Sequence, residues 1–418
     1  MKTKHLTLKD FIEIEGCDIM ERAELFSMKY IPQLKDAGLW DLWMVVENYH
    51  DSSHIDLQDN YNDFYSNAIT FVSNDYLGYS KDYRVINAGI ETMKKFGAGA
   101  CAAPVIGGYL HPQQQLEKAI ANFLACDDAL IFSSGFGANA GILLALLGKR
   151  DIAIVDMYAH ASVFEGLYNT NTKITKHNDP DYLDKYLSTI KTKYDTKLVI
   201  VDGIYSQDGD VSPLPEILEI CRRHGAYLLV DDAHGIGVWG EAGKGTSEHF
   251  KLLGKIDFIT GTLSKSIGTI GGFFAGPQKV VDYLRLYART SIFSAAPTPQ
   301  VMGSALRSLN LILEEPERRK RIRQNYKYLN SKLQELGFNT GNSISQIIPI
   351  KIGDDILTKK VVYQLLKNNI YTCGITYPGV KLNDARIRLG ILATHTKDDL
   401  DYLLNTLVRI DQKLHIRK

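Results

Sequence analysis

Cysteine is scarce in this sequence, and its spacing suggests neither a disulfide framework nor a metal site. The 5 cysteines are dispersed along 418 residues and form no CxxC pair: they are Cys17, Cys101, Cys126, Cys221 and Cys373. An odd, scattered set is typical of proteins in a reducing compartment. We therefore expect a cytoplasmic protein without a metal site.

The sequence also lacks an excess of charge and a long apolar run. Lysine plus arginine and aspartate plus glutamate each number 48, so the formal net charge is zero and gives no general attraction to nucleic acid. The longest apolar runs, such as residues 142–147, fall far short of the roughly 20 residues that span a bilayer. Residues 1–7 show no secretory signal. We expect no nucleic acid partner and at most peripheral membrane contact.

Apolar runs alternate with helical patterns between residues 113 and 276. Runs that are apolar on both faces and separated by helices predict an α/β fold with a mostly parallel sheet covered on both sides. The predicted strands are 129–132, 152–155, 198–201, 226–230, 256–260 and 272–275. The predicted helices are 113–124, 135–147, 160–168 and 213–224.

The chain is expected to divide into three segments. Residues 1–67 form an N-terminal extension, residues 68–296 a large domain, and residues 297–418 a smaller α+β domain. In the extension, a helical period over residues 18–48 is carried by Met20, Leu25, Met28, Leu34 and Leu39. The smaller domain opens with a long helical region to about residue 336. Its later strand and helix patterns lie at 347–352, 358–368, 386–389 and 397–407.

One lysine and one acid–x–x–histidine unit stand out after predicted strands. Lys265 lies in the run GTLSKSIG, and Asp231 and His234 follow the apolar run 226–230. Pyridoxal 5'-phosphate (PLP) chemistry needs an amine to form a Schiff base and a carboxylate to keep the pyridine nitrogen protonated. Taken singly, these residues are more often a surface turn, a helix cap and a structural histidine. Together, and in this order, they predict a PLP site.

Two further candidates lie where predicted strands lead into predicted helices. Ser134 and Gly135 open a helix whose N-terminal N–H groups would suit a phosphate, although they could also serve only as a cap and a turn. His160 follows the strand 152–155 and could stack on a flat heteroaromatic ring. A helix-start histidine without a ligand is the alternative.

Other candidates could bind polar groups of a cofactor or substrate. Ser206 follows the strand 198–201 and could bond the phenol oxygen of the cofactor. Arg386 and Arg388 face the same way in a predicted strand. A guanidinium in this position could bind a carboxylate in bidentate fashion, or the strand face could simply be solvated.

These motifs, in this order, resemble the α-oxoamine synthases, which are fold-type I PLP enzymes. The resemblance extends from about residue 65 to residue 410 and is carried by SNDYLG at 73–78, SGF at 134–136, HAS at 160–162, YSQDGD at 205–210, DDAHGIG at 231–237 and GTLSKS at 261–266. Members of this family join an amino acid to an acyl-CoA, usually with loss of CO₂, and give an α-amino ketone. They are homodimers with active sites at the subunit interface.

The resemblance implies a role for each candidate residue. Lys265 is expected to form the Schiff base and remove the α-proton, Asp231 to pair with the pyridinium nitrogen, and His160 to stack on the ring and assist catalysis. His234 and Ser206 are expected to bond the ring oxygen. The other expected cofactor contacts are Ser134, Gly135, Phe136, Thr262 and Ser264, with Ser294 and Ala295 reaching the partner's phosphate. The expected substrate contacts are Asn74 and Arg388.

Within the family, the run GTLSKSIGTIGGF at 261–273 is most similar to serine palmitoyltransferases. We therefore expect serine as the amino acid and a sphingoid-type lipid precursor as the product. Two departures bear on specificity: Ala103-Pro104 stands where many relatives carry an arginine or a Gly-Ser pair, and Asp202 stands where a glutamate is common. Alanine, glycine and cysteate remain open as the amino acid, as in an aminooxononanoate synthase, a glycine C-acetyltransferase or a sulfonolipid-type synthase. An aldolase, aminotransferase or desulfurase of the same fold also remains open. A non-catalytic partner subunit is a further alternative, against which the presence of Lys265 argues.

Overall fold

The computed structural model describes residues 11, 14–36 and 40–417. Residues 1–7, for which no secretory signal is expected, and Leu39 lie outside the described residues. Within the described ranges, no helix combines the length and the apolar character needed to cross a membrane.

Helices alternate with strands along much of the described chain. In chain order, the helices are α1 (Ile19–Leu25), α2 (Ile31–Asp36), α3 (Tyr83–Phe96), α4 (His111–Leu124), α5 (Gly135–Leu146), α6 (Ala161–Glu165), α7 (Pro180–Ile190), α8 (Leu214–His224), α9 (Thr246–His249), α10 (Gln278–Tyr287), α11 (Arg289–Ile292), α12 (Pro299–Glu314), α13 (Pro316–Glu335), α14 (Asp355–Leu366) and α15 (Lys397–Leu414). The strands are β1 (Val45–Tyr49), β2 (His54–Gln58), β3 (Phe64–Thr70), β4 (Asp128–Phe132), β5 (Ile152–Asp156), β6 (Asn171–Thr175), β7 (Lys197–Asp202), β8 (Tyr227–Asp231), β9 (Phe258–Thr262), β10 (Gly272–Gly276), β11 (Ile347–Gly353), β12 (Ile370–Tyr371), β13 (Cys373–Ile375) and β14 (Ala385–Gly390).

The chain forms two compact units whose boundaries differ from those predicted. The first unit comprises Asn74–Gln324 and Ile344–Gln346. The second unit comprises three segments: the described residues that precede Asn74, the segment Asn325–Ser343, and the described residues from Ile347 to the end. Helix α12 packs on α3 and α4, which keeps it in the first unit. Strand β12 pairs with β3, so the N-terminal segment shares a sheet with the C-terminal part. The proposed boundaries after residues 67 and 296 therefore do not coincide with this division.

The first unit is built on a seven-stranded sheet with the order β4-β10-β9-β8-β7-β5-β6. Neighbouring strands from β9 to β6 are parallel, whereas β10 runs antiparallel to both β4 and β9. All five residues of β5 and of β9 are buried, because helices cover the sheet on both faces. The prediction of a mostly parallel α/β sheet is confirmed.

The register of this sheet brings polar side chains together at one edge. Asp202 at the end of β7 lies opposite Asp231 at the end of β8, and Asp231 lies opposite Thr260 of β9. The carboxyl ends of parallel strands meet at the same edge, which is where ligands bind in such sheets. The apolar strands thus position the polar residues that follow them.

The second unit combines a four-stranded sheet, β1-β2-β3-β12, with a three-stranded sheet, β11-β14-β13. Its core includes the fully buried side chains of Ile348, Leu365, Ile387 and Leu403, and each such side chain contributes about 1.5–3 kcal/mol by leaving water. The predicted α+β character of the C-terminal part is confirmed. The predicted helix is wrong for residues 40–48, which are not helical. Residues 45–48 belong to β1, because β-branched residues there pair antiparallel with β2.

Candidate active site

The edge of the sheet in the first unit opens into a cavity of about 310 Å³. Predicted site residues from several segments line it, although they lie far apart in the sequence. They are Ser134, Gly135, Phe136, His160, Asp231, His234, Thr262, Ser264 and Lys265. Their convergence follows from strand order, because the segments after β4, β5, β8 and β9 all reach the same edge.

A chain of hydrogen bonds extends from Lys265 to Asn74. Lys265 Nζ lies 2.8 Å from His234 Nε2, and His234 Nδ1 lies 2.7 Å from the Tyr76 hydroxyl. The Tyr76 hydroxyl donates to Asn74 Oδ1 at 3.0 Å. Because that hydroxyl hydrogen is used, His234 donates from Nδ1 and accepts from Lys265 at Nε2. The chain therefore holds the lysine amine in a fixed position beside a buried imidazole.

A second chain connects the acidic residue of the cavity to its other histidine. Asn139 Nδ2 donates to Asp231 Oδ2 at 2.6 Å and to Ser162 Oγ at 2.9 Å. Ser162 Oγ lies 2.7 Å from His160 Nδ1. The backbone N–H of Ala233 also donates to Asp231, at 3.1 Å. Asp231 therefore accepts hydrogen bonds from both a side chain and the backbone.

Burial governs the charge state of two groups that border the cavity. It lowers the pKa of His160, while the charge of Asp231 raises this pKa and the charge of Lys265 lowers it, both to a smaller extent. Burial also raises the pKa of Asp202 well above its ordinary value, and the neighbouring charge of Asp231 adds to this effect. The backbone N–H of His160 donates to Asp202 at 3.3 Å. The lowered pKa favours the neutral imidazole of His160.

The N-terminus of α5 forms the opposite end of the cavity. Ser134 caps this 12-residue helix by accepting from Gly137 N at 2.9 Å. A side chain at Gly272 would lie within 2.6 Å of the backbone of Ser134 and Gly135, so β10 and the helix start can approach only through glycine. Thr262 Oγ1 and Ser264 Oγ lie 2.7 Å apart beside them. Hydroxyls and free helical N–H groups suit an anion such as a phosphate.

These residues fit the chemistry of PLP. The cavity has an amine for an aldehyde at Lys265, a carboxylate for a ring nitrogen at Asp231, and a helix N-terminus for a phosphate at Gly135. PLP needs these three groups at three different points.

Some predicted site residues do not line this cavity. Asn74 is linked to it through Tyr76 and His234, and Ser206 lies half-buried in the loop after β7. Ser294 and Ala295 lie after α11, also outside the cavity lining. Their roles stay predictions.

The two predicted arginines belong to the second unit. Arg388 is half-buried on β14. Arg386, on the same strand, is 1% exposed and forms an ion pair with Asp384. Arg386 is therefore a paired structural residue, and the assignment of Arg388 to the substrate carboxylate stays a prediction.

Four residues of the site had no role assigned from the sequence. Tyr76 and Ser162 lie within the recognised motifs and Asn139 lies three residues after one, and this position was their only signal. Gln346 gave no signal, yet its Nε2 donates to the carbonyl of His234 at 2.7 Å. These contacts depend on side chains that meet across strands, which a linear pattern does not reveal.

Comparison with known proteins shows similarity to one group of enzymes. The family model for aminotransferase class I and II matches residues 66–407. The 8-amino-7-oxononanoate synthase of Thermoanaerobacter pseudethanolicus is 36% identical over 394 residues, which cover 94% of this chain and 98% of that protein. The 8-amino-7-oxononanoate synthase 1 of Bacillus subtilis is 38% identical over 351 residues, which cover 84% of this chain and 89% of that protein.

Solved structures of related enzymes have the same fold. A serine palmitoyltransferase variant from S. paucimobilis with a bound PLP–myriocin aldimine has a TM-score of 0.90 and 29% identity, and the match covers 96% of this chain and 100% of that chain. The 8-amino-7-oxononanoate synthase of Francisella tularensis has a TM-score of 0.71 and 26% identity, with coverage of 83% and 99%.

Proposed function

This chain belongs to the class I and II aminotransferase family and, within it, to the PLP-dependent α-oxoamine synthases, and we propose that it uses alanine to form 8-amino-7-oxononanoate. It is an acyltransferase whose family acts on an amino acid and an acyl thioester. In the proposed product, the amine and the terminal methyl lie on the two carbons that alanine retains after losing CO₂. The remaining seven carbons, with a terminal carboxylate, come from the acyl group.

Sequence identity is the observation that carries the choice of alanine. Relatives named 8-amino-7-oxononanoate synthase are 36% and 38% identical over 94% and 84% of this chain. The serine palmitoyltransferase structures are 27% to 30% identical. This difference favours alanine over the serine expected from the lysine region, and the departure at Ala103-Pro104 is consistent with a different substrate.

The arrangement around Lys265 supports the first half of the reaction. PLP, when bound, accepts the electron pair released at the α-carbon of the amino acid. Lys265 would take the α-proton, and its hydrogen bond to His234 keeps the amine within the cavity. Asp231, which accepts a hydrogen bond from Asn139, would pair with the protonated ring nitrogen. Arg388 would bind the carboxylate of the amino acid.

The second half of the reaction forms one carbon–carbon bond and breaks two bonds. The α-carbon of the amino acid attacks the thioester carbonyl, and the thiol leaves as the carbon–sulfur bond breaks. Loss of CO₂ then breaks the bond to the carboxylate, and a proton is returned to the α-carbon. His160 would donate a hydrogen bond to the thioester carbonyl oxygen, on which negative charge develops.

Serine palmitoyltransferase activity is the second candidate. The structural match to the S. paucimobilis enzyme has a TM-score of 0.90 over 96% of this chain, compared with 0.71 over 83% for the F. tularensis 8-amino-7-oxononanoate synthase. With serine and a long acyl chain, the same residues would give a sphingoid precursor.

A titration of the PLP-loaded protein distinguishes these candidates. Alanine, serine, glycine, cysteate and threonine are added in turn, and saturable changes in the visible absorbance are followed. The amino acid that responds is then incubated with a dicarboxylic C7 acyl-CoA and with palmitoyl-CoA, and the product mass is measured. We expect alanine to respond and the C7 thioester to give the product. A response to serine with a palmitoyl product would establish the second candidate, and no α-amino ketone from any pair would refute both.

A further inference from the structure

We propose that Asn139 and Ser162 are positioning residues that fix His160 as the neutral imidazole with its proton on Nε2. They do so through a directional chain of hydrogen bonds that begins at the Asp231 carboxylate. The chain involves side chains from α5, α6 and β8. It therefore links Asp231, which would pair with the cofactor ring, to His160, which would contact the substrate. The tautomer does not depend on the substrate, whereas its use in the reaction rests on the proposed function.

The first step is the orientation of the Asn139 amide. Its Nδ2 lies 2.6 Å from Asp231 Oδ2, and an ionised carboxylate can only accept. Nitrogen, not oxygen, must therefore face Asp231. The same nitrogen lies 2.9 Å from Ser162 Oγ, so its two N–H groups are directed at two different acceptors.

The second step is the direction of the Ser162 hydroxyl. Because Ser162 Oγ accepts from Asn139, its hydrogen is free to be donated elsewhere. His160 Nδ1 lies 2.7 Å away, and the backbone N–H of Ser162 also donates to His160 Nδ1, at 3.3 Å. Two donors aimed at one ring nitrogen require a lone pair on that nitrogen. Nδ1 is therefore bare, and the proton of the neutral ring lies on Nε2.

The surroundings of these residues support a functional role for the chain. Asn139 is 3% exposed and Ser162 is fully buried. In the described part of the chain, no donor reaches the buried Oδ1 of Asn139, and an unsatisfied buried carbonyl lowers stability. The Asn139 amide is therefore oriented so that both of its N–H groups donate, although its carbonyl oxygen accepts no hydrogen bond within the described residues. Burial also lowers the pKa of His160, in agreement with a neutral ring.

The consequence for catalysis is a histidine that can only donate into the cavity. With Nδ1 occupied by Ser162, the polar group left on the ring is the Nε2–H. Such a ring can stabilise a carboxylate or a developing oxyanion, but it cannot take a proton from the substrate at Nε2. His160 would therefore orient and stabilise, and Lys265 would remain the base.

The ¹⁵N signals of His160 test the proposed tautomer directly. The protein is labelled with ¹⁵N-histidine, and the signal of His160 is assigned by its loss in His160→Asn. We expect a bare Nδ1 and a protonated Nε2 at neutral pH, both without and with PLP. A protonated Nδ1, or a doubly protonated ring, in the wild-type protein would overturn the proposal.

Two substitutions test the roles of the positioning residues. Ser162→Ala should give a mixture of tautomers and a roughly tenfold loss of kcat/KM, chiefly in kcat. Asn139→Ala should do the same and also shift the pH dependence of the visible PLP absorbance, because Asp231 loses its donor. Ser308→Ala is the matched control, because Ser308 is fully buried, its hydroxyl has no partner among the described residues, and it does not line the cavity.

The outcomes separate this inference from the proposed function. If Ser162→Ala keeps the wild-type tautomer and rate, the inference is wrong even when the α-amino ketone forms. If the wild-type tautomer is as stated but no amino acid reacts, the proposed function fails and the inference about His160 stands. Should Asn139→Ala not fold, the Ser162→Ala protein decides alone.

Discussion

The arrangement of Lys265 and His234 depends on the hydroxyl of a third residue, Tyr76. The ring of His234 accepts from Lys265 only if its other nitrogen holds the proton, and that proton needs an acceptor. The hydroxyl of Tyr76, 2.7 Å from Nδ1, is this acceptor. Tyr76 is fully buried, so water does not replace the hydroxyl easily. A residue outside the predicted set thus determines how two predicted residues interact.

Tyr76→Phe should therefore weaken catalysis more than it weakens the fold. The substitution leaves the Nδ1–H of His234 buried without its acceptor, which costs about 1–3 kcal/mol, and the ring can then change tautomer and release Lys265. We expect kcat/KM to fall about tenfold or more. Steady-state kinetics and the pH dependence of the visible absorbance of bound PLP measure these effects.

Tyr79→Phe provides the control for this substitution. Tyr79 is also fully buried, but its hydroxyl has no partner within the described part of the chain. Removing that hydroxyl should leave the kinetics unchanged while the ring keeps its contact with Arg318. Equal losses in both variants would mean that the hydroxyl of Tyr76 has no specific role.

At the scale of elements, His177 connects the loops that follow β5 and β7. Its Nδ1 lies 2.9 Å from Asp156 Oδ1, and its Nε2 lies 2.6 Å from Asp210 Oδ2. The ring also contacts the aromatic rings of Tyr158 and Tyr205. Burial alone would lower the pKa of His177, but the hydrogen bonds to the two carboxylates raise it to about 9. The loops that carry His160 and Ser206 are therefore joined by a charged imidazole at neutral pH.

This contact should make stability depend on pH in the basic range. The folded-state pKa of His177 lies above the unfolded value of 6.5, so the contribution is fully present below about pH 6.5 and is lost as pH rises through 9. It amounts to at most about 3 kcal/mol. We expect His177→Gln to lower the melting temperature clearly at about pH 6 and little at about pH 9.5, as measured by thermal unfolding.

His224→Gln removes a histidine–aspartate contact of another kind. His224 Nε2 lies 2.6 Å from Asp184 Oδ1, whose side chain is 38% exposed. Exposed pairs contribute little to stability, so this variant should change the melting temperature only slightly at any pH. A deficit of His177→Gln that stays constant from pH 6 to about 9.5 would contradict the charged contact between the two loops.

The elements that were predicted from the sequence share one property, a continuous apolar run. Strands β4, β5, β7 and β8 were found for this reason, and the ends of the predicted strands located Lys265, Asp231 and His160 at one edge. Strand β6 was missed because its sequence, NTKIT, is largely polar and exposed. The pairing of Asn139 with Asp231, 92 positions apart, was not predictable because it depends on how α5 lies across β8.

The whole molecule is expected to act as a homodimer with shared active sites. Ser294 and Ala295 do not line the cavity of their own chain. Phe293 beside them is 75% exposed, so this segment is accessible to a partner subunit. In the family that the sequence resembles, this segment reaches the phosphate site of the other subunit. We propose the same arrangement for this protein.

Subunit complementation tests the shared site at the scale of the assembly. Lys265→Ala and Ser294→Tyr chains should each be inactive alone, the first through loss of the amine and the second through obstruction of the partner's phosphate site. In a two-fold dimer that contains one chain of each kind, one active site combines an intact Lys265 with an intact Ser294 of the partner subunit. Co-expression with random pairing should therefore restore about a quarter of the wild-type activity per dimer. If each chain completed its own site, the mixed dimers would stay as inactive as the two parents, because no single chain would hold both residues.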